Sequence, residues 1–171
     1  LLDAIVKYTP PASIIGKEVG KNEAGEDVEI AVNEADPTVA TVFKTVADPF
    51  VGKMSFFKVM NGTLKKDQVL KNSHNGQEEK IARIYCARGK KQTEVDEMVC
   101  GDIGLTTKLV SANTNDTLSV SGNLSYRKIE FPKPYMSMAI EPLAKGDEDK
   151  ISQGITKLLE EGLYPYTKRY L

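Results

Sequence analysis

The sharpest alternation of apolar and polar positions lies between Asp48 and Gly62. It opens with Asp48-Pro49, a turn signal, and closes with Asn61-Gly62, a dipeptide that tolerates the positive φ angles of a two-residue hairpin turn. Between them Phe57 and Val59 fall on one face of an extended chain, and Phe56 and Met60 on the other. Lys53 and Lys58 bracket the aromatic pair. The pattern predicts the central hairpin of an antiparallel barrel that presents cations at its rim. Other runs read the same way. Val39–Ala47 is rich in Val, Phe and Thr, which suits a strand. Val69–Leu70 precedes a His74-Asn75-Gly76 turn, and Lys80–Ala87 is the next predicted strand, with Ile81, Ile84 and Cys86 at apolar positions. Arg88-Gly89-Lys90-Lys91 reads as a polar turn. Val99–Leu109 reads as a strand interrupted at Gly101 and Gly104, where a bulge or a close backbone approach is expected. Asn113–Thr117 is a further turn. Short strands with turn signals about every ten residues favour a small barrel or sandwich.

The flanks differ. Leu1, Leu2, Ile5 and Tyr8 have helical spacing, and Pro10-Pro11 stops that helix. Residues 13–36 carry three glycines and many charges, which predicts a loose linker with short strands near Val28–Val32. Phe131-Pro132-Lys133-Pro134 is a stiff, extended connector. Tyr135–Ile140 alternates as a strand. Asp147, Glu148 and Asp149 supply an N-cap and a first turn matched to the helix dipole, and Ile151, Ile155, Leu158 and Leu159 follow at helical spacing up to Gly162. Tyr164–Leu171 is expected as a second strand. A β-α-β unit without partner strands leaves its sheet face poorly covered, so the chain is expected to stop inside its last domain. The opening residues lack an initiating Met and a basic lead-in, which reads as the middle of a longer protein.

Composition narrows the class. Apolar and charged fractions of 40% and 27% are ordinary for a globular chain. No apolar run approaches the roughly eighteen residues of a membrane span. Cys86 and Cys100 are too few for a disulfide scaffold and have no metal-ligand spacing, so they read as free thiols in a reducing compartment. The net charge of −1 argues against a uniformly basic nucleic-acid binder. Its distribution says more. From Lys53 to Lys91 there are ten Lys or Arg against Asp67, Glu78 and Glu79, a balance of +7, and the remainder therefore carries −8.

Chemistry is sparse. There is no G-x-x-x-x-G-K-[ST] phosphate loop and no G-x-G-x-x-G. Gly101-Asp-Ile-Gly104 lies in a strand pattern rather than before a helix and reads as structural. His74, the single histidine, sits in a turn with no orienting partner, so it reads as solvated rather than as a general base. Glu94, Asp96 and Glu97 read as a charged turn, and Asp147, Glu148 and Asp149 as a helix N-terminus, ahead of carboxylate chemistry. No catalytic, cofactor-binding or metal-binding residue is assigned, and a stand-alone enzyme is the least supported class. The cations Lys53, Lys58, Lys65, Lys66, Arg83, Arg88, Lys90 and Lys91 remain, either as ordinary solvated surface or as a phosphate-contacting face with steeply salt-dependent binding.

Several motifs carry a family resemblance. The run Asp48-Pro-Phe-Val-Gly-Lys-Met-Ser-Phe-Phe-Lys-Val-Met-Asn-Gly-Thr-Leu64 resembles the start of the second domain of bacterial elongation factor G, a translational GTPase. Val95-Asp-Glu-Met-Val-Cys-Gly-Asp-Ile-Gly104, Asn115-Asp-Thr-Leu118, Phe131-Pro-Lys-Pro-Tyr135 and Ala139-Ile-Glu-Pro142 continue the match in order. Asp149-Lys-Ile-Ser-Gln153 with Leu158-Leu-Glu-Glu161 resembles the first helix of the third domain, and Leu1–Val6 the last helix of the GTPase domain. The resemblance implies a mainly β fold with an α+β tail: a second-domain β-barrel of about six strands, then part of a ferredoxin-like domain. It implies residues 1–36 as the end of the GTPase domain and a linker, 37–130 as the barrel, and 131–171 as a truncated third domain. It implies a cytoplasmic protein whose barrel docks on small-subunit ribosomal RNA and packs against the GTPase domain. The eight cations above are then candidate RNA contacts. GTP and Mg belong to the parent protein, and none of its GTP-binding motifs lies in this chain, which is expected to be non-catalytic. The alternative is a protein-interaction barrel of a divergent paralogue, such as a ribosome-protection or release-type factor, with the basic rim meeting acidic protein.

Overall fold

Two residues, Ala82 and Arg83, decide the shape of the main sheet. The computed structural model describes residues 1–89, 91–133, 135, 136, 138–142 and 144–162. Its strands are β1 (Lys17–Lys21), β2 (Asp27–Ala31), β3 (Val39–Asp48), β4 (Gly52–Asn61), β5 (Thr63–Lys65), β6 (Gln68–Asn72), β7 (Glu78–Ile81), β8 (Ile84–Arg88), β9 (Lys91–Val95), β10 (Glu97–Val99), β11 (Ile103–Thr107), β12 (Thr117–Ser119) and β13 (Ser125–Tyr126). The helices are α1 (Leu2–Tyr8), α2 (Ala12–Ile15) and α3 (Glu148–Glu160). Eight strands form one antiparallel sheet in the order β7-β6-β12-β3-β4-β11-β8-β9. Laid flat, β7 and β8 would stand six strand spacings apart, about 29 Å. Their connection allows three Cα steps, at most about 11 Å. The sheet therefore curls back on itself into a half-barrel.

The β5–β10 ribbon covers the core that the curl leaves, contributing Leu64 and Met98. These pack with Val42, Phe57, Val59, Leu70, Ile81, Ile84 and Leu118, all at most 5% exposed. Burying one such Phe or Leu is worth about 1.5–3 kcal/mol. The predicted alternation holds along β4: Phe57 and Val59 point inward, Phe56 and Met60 outward. The β3–β4 register shifts between Val42 and Lys44, leaving Phe43 unopposed. That bulge sets Phe43 beside Phe56 on the outer face, ring centroids 6.5 Å apart.

The predicted turns are partly redistributed. The β3–β4 hairpin closes at its Asp48 end, where the Asp48 carboxylate accepts N–H bonds from Phe50 and Val51, both 2.8 Å. These bonds, Val51's first, hold its carboxyl below the usual carboxylate range. Asn61-Gly62 is not a hairpin turn. Gly62 has φ +71°, as the dipeptide predicts, but the chain leaves the main sheet there and β5 pairs with β10. A Cβ at Gly62 would fall 2.8 Å from the Thr38 backbone, so the corner demands glycine. Lys80–Ala87 is not one strand. It breaks at Ala82–Arg83 into β7 and β8, because barrel closure needs its halves on opposite sides of the sheet. The Arg83 carbonyl is used up at this break, accepting from the Thr106 hydroxyl at 2.8 Å. At Gly104, in β11, the expected close approach is present: a Cβ would fall 2.9 Å from the Phe57 ring.

Outside the barrel, β1 pairs with β2 and β13 in a three-stranded sheet, more regular than a loose linker. No strand forms at the described residues of 135–142, where alternation finds no partner strand among the described residues. The expected strand at Tyr164–Leu171 lies outside the described residues. Helix α3 forms where the apolar spacing predicts and buries none of its residues, but the expected N-cap bond is not made: the Asp147 carboxylate accepts from Lys150 at 2.8 Å instead. The helix is tied to the barrel by Glu161, whose carboxylate accepts from Ala47 N–H at 3.1 Å and whose carbonyl lies 3.4 Å from the Thr114 hydroxyl. The neighbouring Asn115 clasps the connector with two bonds to Ile129, of 2.8 and 3.0 Å.

One buried carboxylate secures the edge strand β7. Glu79 is 3% exposed and accepts bonds from the N–H groups of Val110, Ser111 and Ala112 and from the Ser111 hydroxyl. Burial pushes its pKa up, but the four bonds together outweigh burial and hold it below the usual value. A carboxyl depressed in the folded state contributes stability above its unfolded pKa and loses it as pH falls through the folded one. Glu79→Gln keeps one acceptor and sets an amide against the Val110 N–H. We expect it to lower unfolding free energy by about 1–3 kcal/mol at neutral pH. It should also flatten the loss of stability between about pH 5 and 3. Denaturant melts across that range check both; equal midpoints at neutral pH would remove Glu79 as a fastening.

Candidate nucleic-acid interface

The β8–β9 hairpin presents two exposed cations side by side. Its strands pair from Ile84↔Val95 to Arg88↔Lys91, and Gly89, at φ +60°, supplies the left-handed turn residue. Cross-strand neighbours on one pair bring Arg88 and Lys91 together, and like charges directly opposite repel. Both side chains are exposed and neither has an ion-pair partner among the described residues. Two unpaired cations held together at a turn are poised for an anion outside the chain. Lys90 lies outside the described residues.

At the other end of the same hairpin, Lys66 and Arg83 converge on Glu94. Lys66 Nζ donates to Glu94 Oε1 at 2.6 Å, and Arg83 Nη1 lies 4.0 Å from Oε2. Lys66 reaches this place because its backbone N–H bonds to the Asp96 carbonyl at 2.9 Å. The Lys66 ammonium holds the Glu94 carboxyl below its ordinary pKa, and Glu94 in turn raises that of Lys66. Exposed pairs of this kind are worth about 0–1 kcal/mol, so a phosphate can displace the carboxylate at small cost.

The remaining candidates are not gathered with these. Lys65 Nζ stands 4.0 Å from Glu97. Lys53 donates to the Asn113 side-chain carbonyl at 3.1 Å. It lies five residues from Lys58 along β4, about 17 Å. Lys58 is half-buried against Glu18 of β1, 3.4 Å away. It overhangs an outer hollow of about 280 Å³ formed with Thr41, Phe43, Met60 and Ile103. Lys58 thus tethers the outer three-stranded sheet to the barrel. Nearby, Tyr126 has a buried hydroxyl without a hydrogen-bond partner, and burial, with Glu18 adding to it, pushes its pKa up to about 12.

A second concave feature escaped the sequence reading. A basin of about 400 Å³ lies where β1, β13, the Ser73–His74 turn and the start of the connector meet, lined among others by Lys21, Arg127 and Lys128. The Arg127-Lys128 dipeptide was visible in the sequence. Its proximity to Lys21 was not, because it depends on the pairing of β1 with β13. Among the described residues no group of three or more His, Cys, Asp or Glu is placed to hold a metal ion. No described helix is long and apolar enough to cross a membrane.

A curled antiparallel barrel with a cationic hairpin, followed by a proline-rich connector and an acid-capped helix, defines a β-barrel module of the kind that translation factors carry. Residues 37–121 match the family described as elongation factor G domain 2. Its barrel belongs to the elongation factor G domain 2 family. The chain is 37% identical over 163 residues to elongation factor G of Chlamydia trachomatis serovar D, and equally to that of serovar A, covering 94% of this chain. The chain spans 24% of the length of these relatives. A crystal structure of a protein from Thermus thermophilus shares the fold, with a TM-score of 0.69 at 23% identity, covering 94% of this chain and 22% of that one.

Neutralising Glu94 tests how firmly it holds the two cations. Glu94→Gln should raise the affinity of the chain for a polyanion such as heparin a few-fold. The slope of log affinity on log salt should steepen by up to about 1 per released cation. An unchanged slope would mean that Lys66 and Arg83 are not available to anions even when unpaired.

Proposed function

We propose that the barrel docks on RNA of the small ribosomal subunit, within a longer translational GTPase, and couples a GTPase domain outside this chain to translocation of tRNA and mRNA. The observation that carries this is the unpaired Arg88–Lys91 set at the β8–β9 hairpin, inside a segment of charge +7 in a chain of net charge −1. Lys66 and Arg83 extend the contact by exchanging Glu94 for phosphate. Lys53, Lys65 and Lys90 add cations along the same segment, and Lys58 enters through the sheet it anchors. The family membership supports the setting, since the relatives are elongation factors and the chain corresponds to about a quarter of them.

In this reading residues 1–36 end a GTPase domain and link it to the barrel at 37–130, and 131–171 begin a ferredoxin-like third domain. The exposed apolar residues of α1, Leu2, Ile5 and Val6, fit a helix whose packing partner belongs to the preceding domain. GTP and Mg are held by that domain in a cytoplasmic protein. The residues present here do not fit either group: the sequence contains no phosphate loop, and no described cluster of carboxylates or histidines suits a cation. No chemical step is assigned to this chain. Its contribution is binding free energy, directed by charge and shape.

Binding to purified small subunits across a potassium chloride series tests the proposal. Arg88→Glu with Lys91→Glu should weaken binding at least about tenfold and lower the salt slope by about 2. Binding indifferent to the double reversal would remove the hairpin from the contact. Competition by an acidic protein but not by ribosomal RNA would favour the protein-interaction reading.

A further inference from the structure

We propose that the basin between β1, β13 and the connector is a second anion site, separate from the β8–β9 hairpin, and that its ligand is a nucleotide unit of an RNA strand. The inference rests on the reading that this chain binds RNA. Three cations, Lys21, Arg127 and Lys128, line the basin against the single carboxylate of Glu130. Lys21 is partnered by Asp27 at 2.9 Å and Arg127 by Glu130 at 3.7 Å. Both pairs are largely exposed and exchange readily for a phosphate. The Lys128 and His74 side chains make no hydrogen bond or ion pair among the described residues, and the Tyr126 hydroxyl of the same lining is buried without a partner.

The walls are held before any ligand arrives. The Lys21↔Ser125 register fixes β1 beside β13. The Ser73 hydroxyl donates to the Leu124 carbonyl at 2.5 Å, and the His74 N–H donates to the Asn72 side chain at 2.9 Å. Both Asn115–Ile129 bonds hold the connector just past Lys128. A preformed site loses little further freedom on binding. The apolar part of the wall comes from Tyr126 and the aliphatic stems of the long side chains. The ligand that matches joins a compact anion to a flat apolar body, and a nucleotide in a strand is such a unit. An acidic peptide brings its carboxylate on an aliphatic stem without the flat body. The sequence alone hid this site because Lys21 and Arg127 stand over a hundred positions apart in a chain that is slightly acidic overall.

The test is fluorescence anisotropy of the 171-residue chain with a labelled oligouridine about 16 nucleotides long, a usual single-strand span, over a salt series. Arg127→Glu with Lys128→Glu should lower affinity at least about tenfold and reduce the salt slope by about 2. The neutral pair Arg127→Gln with Lys128→Gln should lose about half of that effect on a logarithmic scale. Lys44→Glu with Lys157→Glu makes the same change in net charge at exposed positions outside the basin, and should cost less than about twofold. Circular dichroism melts confirm that each variant is folded. An equal loss in the Lys44/Lys157 control, or no loss in the basin variants, overturns the inference. Displacement of the oligonucleotide by polyglutamate at equal charge concentration overturns the choice of ligand. If the Arg88/Lys91 variant loses the ribosomal subunit while the basin variants keep the oligonucleotide, the basin fails and the docking reading stands. If the unmodified chain ignores the subunit but holds the oligonucleotide through the basin, the docking reading fails and the basin stands.

Discussion

The short link between Ile81 and Ile84 is the constraint on which the molecule depends. Both residues point into the same core, and each is at most 1% exposed. Hydrogen-bonding order places their strands far apart in a sheet, while chain connectivity holds them within a few residues of each other. Only a sheet rolled around Phe57, Val59 and Leu118 meets both demands. The roll in turn brings the β5–β6 turn to β9, so that Lys66 meets Glu94. The positions of the cations follow from the closure of the barrel rather than from the local sequence around each of them.

What was legible in the sequence was what local physics decides. The alternation in β4 divided its residues between two faces correctly, because a strand half-buried against one core must obey a period of two. Asp48 was readable, since side-chain oxygens near free N–H groups act within a few residues, and the start of α3 was placed correctly although Asp147 makes no capping bond and pairs with Lys150 instead. The left-handed conformation at Gly62 was readable too, but its consequence was not. A positive φ says that the chain turns sharply, and a distant pairing of β5 with β10 decides what it turns into. The break at Ala82–Arg83 left no mark, because nothing about those side chains forbids an extended strand. At Tyr135–Ile140 the pattern was present, but among the described residues no strand pairs with it.

The candidate interface divides in the same way. The excess of positive charge between Lys53 and Lys91 can be counted in the sequence, and the hairpin that carries Arg88 and Lys91 is local. The carboxylates that answer Lys58 and Lys66 lie 40 and 28 residues away. Their effect cannot be counted without the fold. Charge segregation along a chain thus overstates how many cations stand free on a surface. The part that survives folding is the part that local geometry keeps unpaired.

The attachment of α3 has a mechanical consequence. Nothing on that helix is fully buried, it lies along β3 with Ile151 and Ile155 half-covered, and its hydrogen bonds to the barrel among the described residues come from the backbone and side-chain oxygens of Glu161. Water can replace the hydrogen-bond partners one for one, and since no α3 residue is fully buried, undocking uncovers no barrel core. The Asn115 clasp on Ile129 lies between the two bodies and is independent of that tie. The chain is built as a rigid drum with a short leash, and a swing of the segment beyond the leash leaves the drum's interior undisturbed.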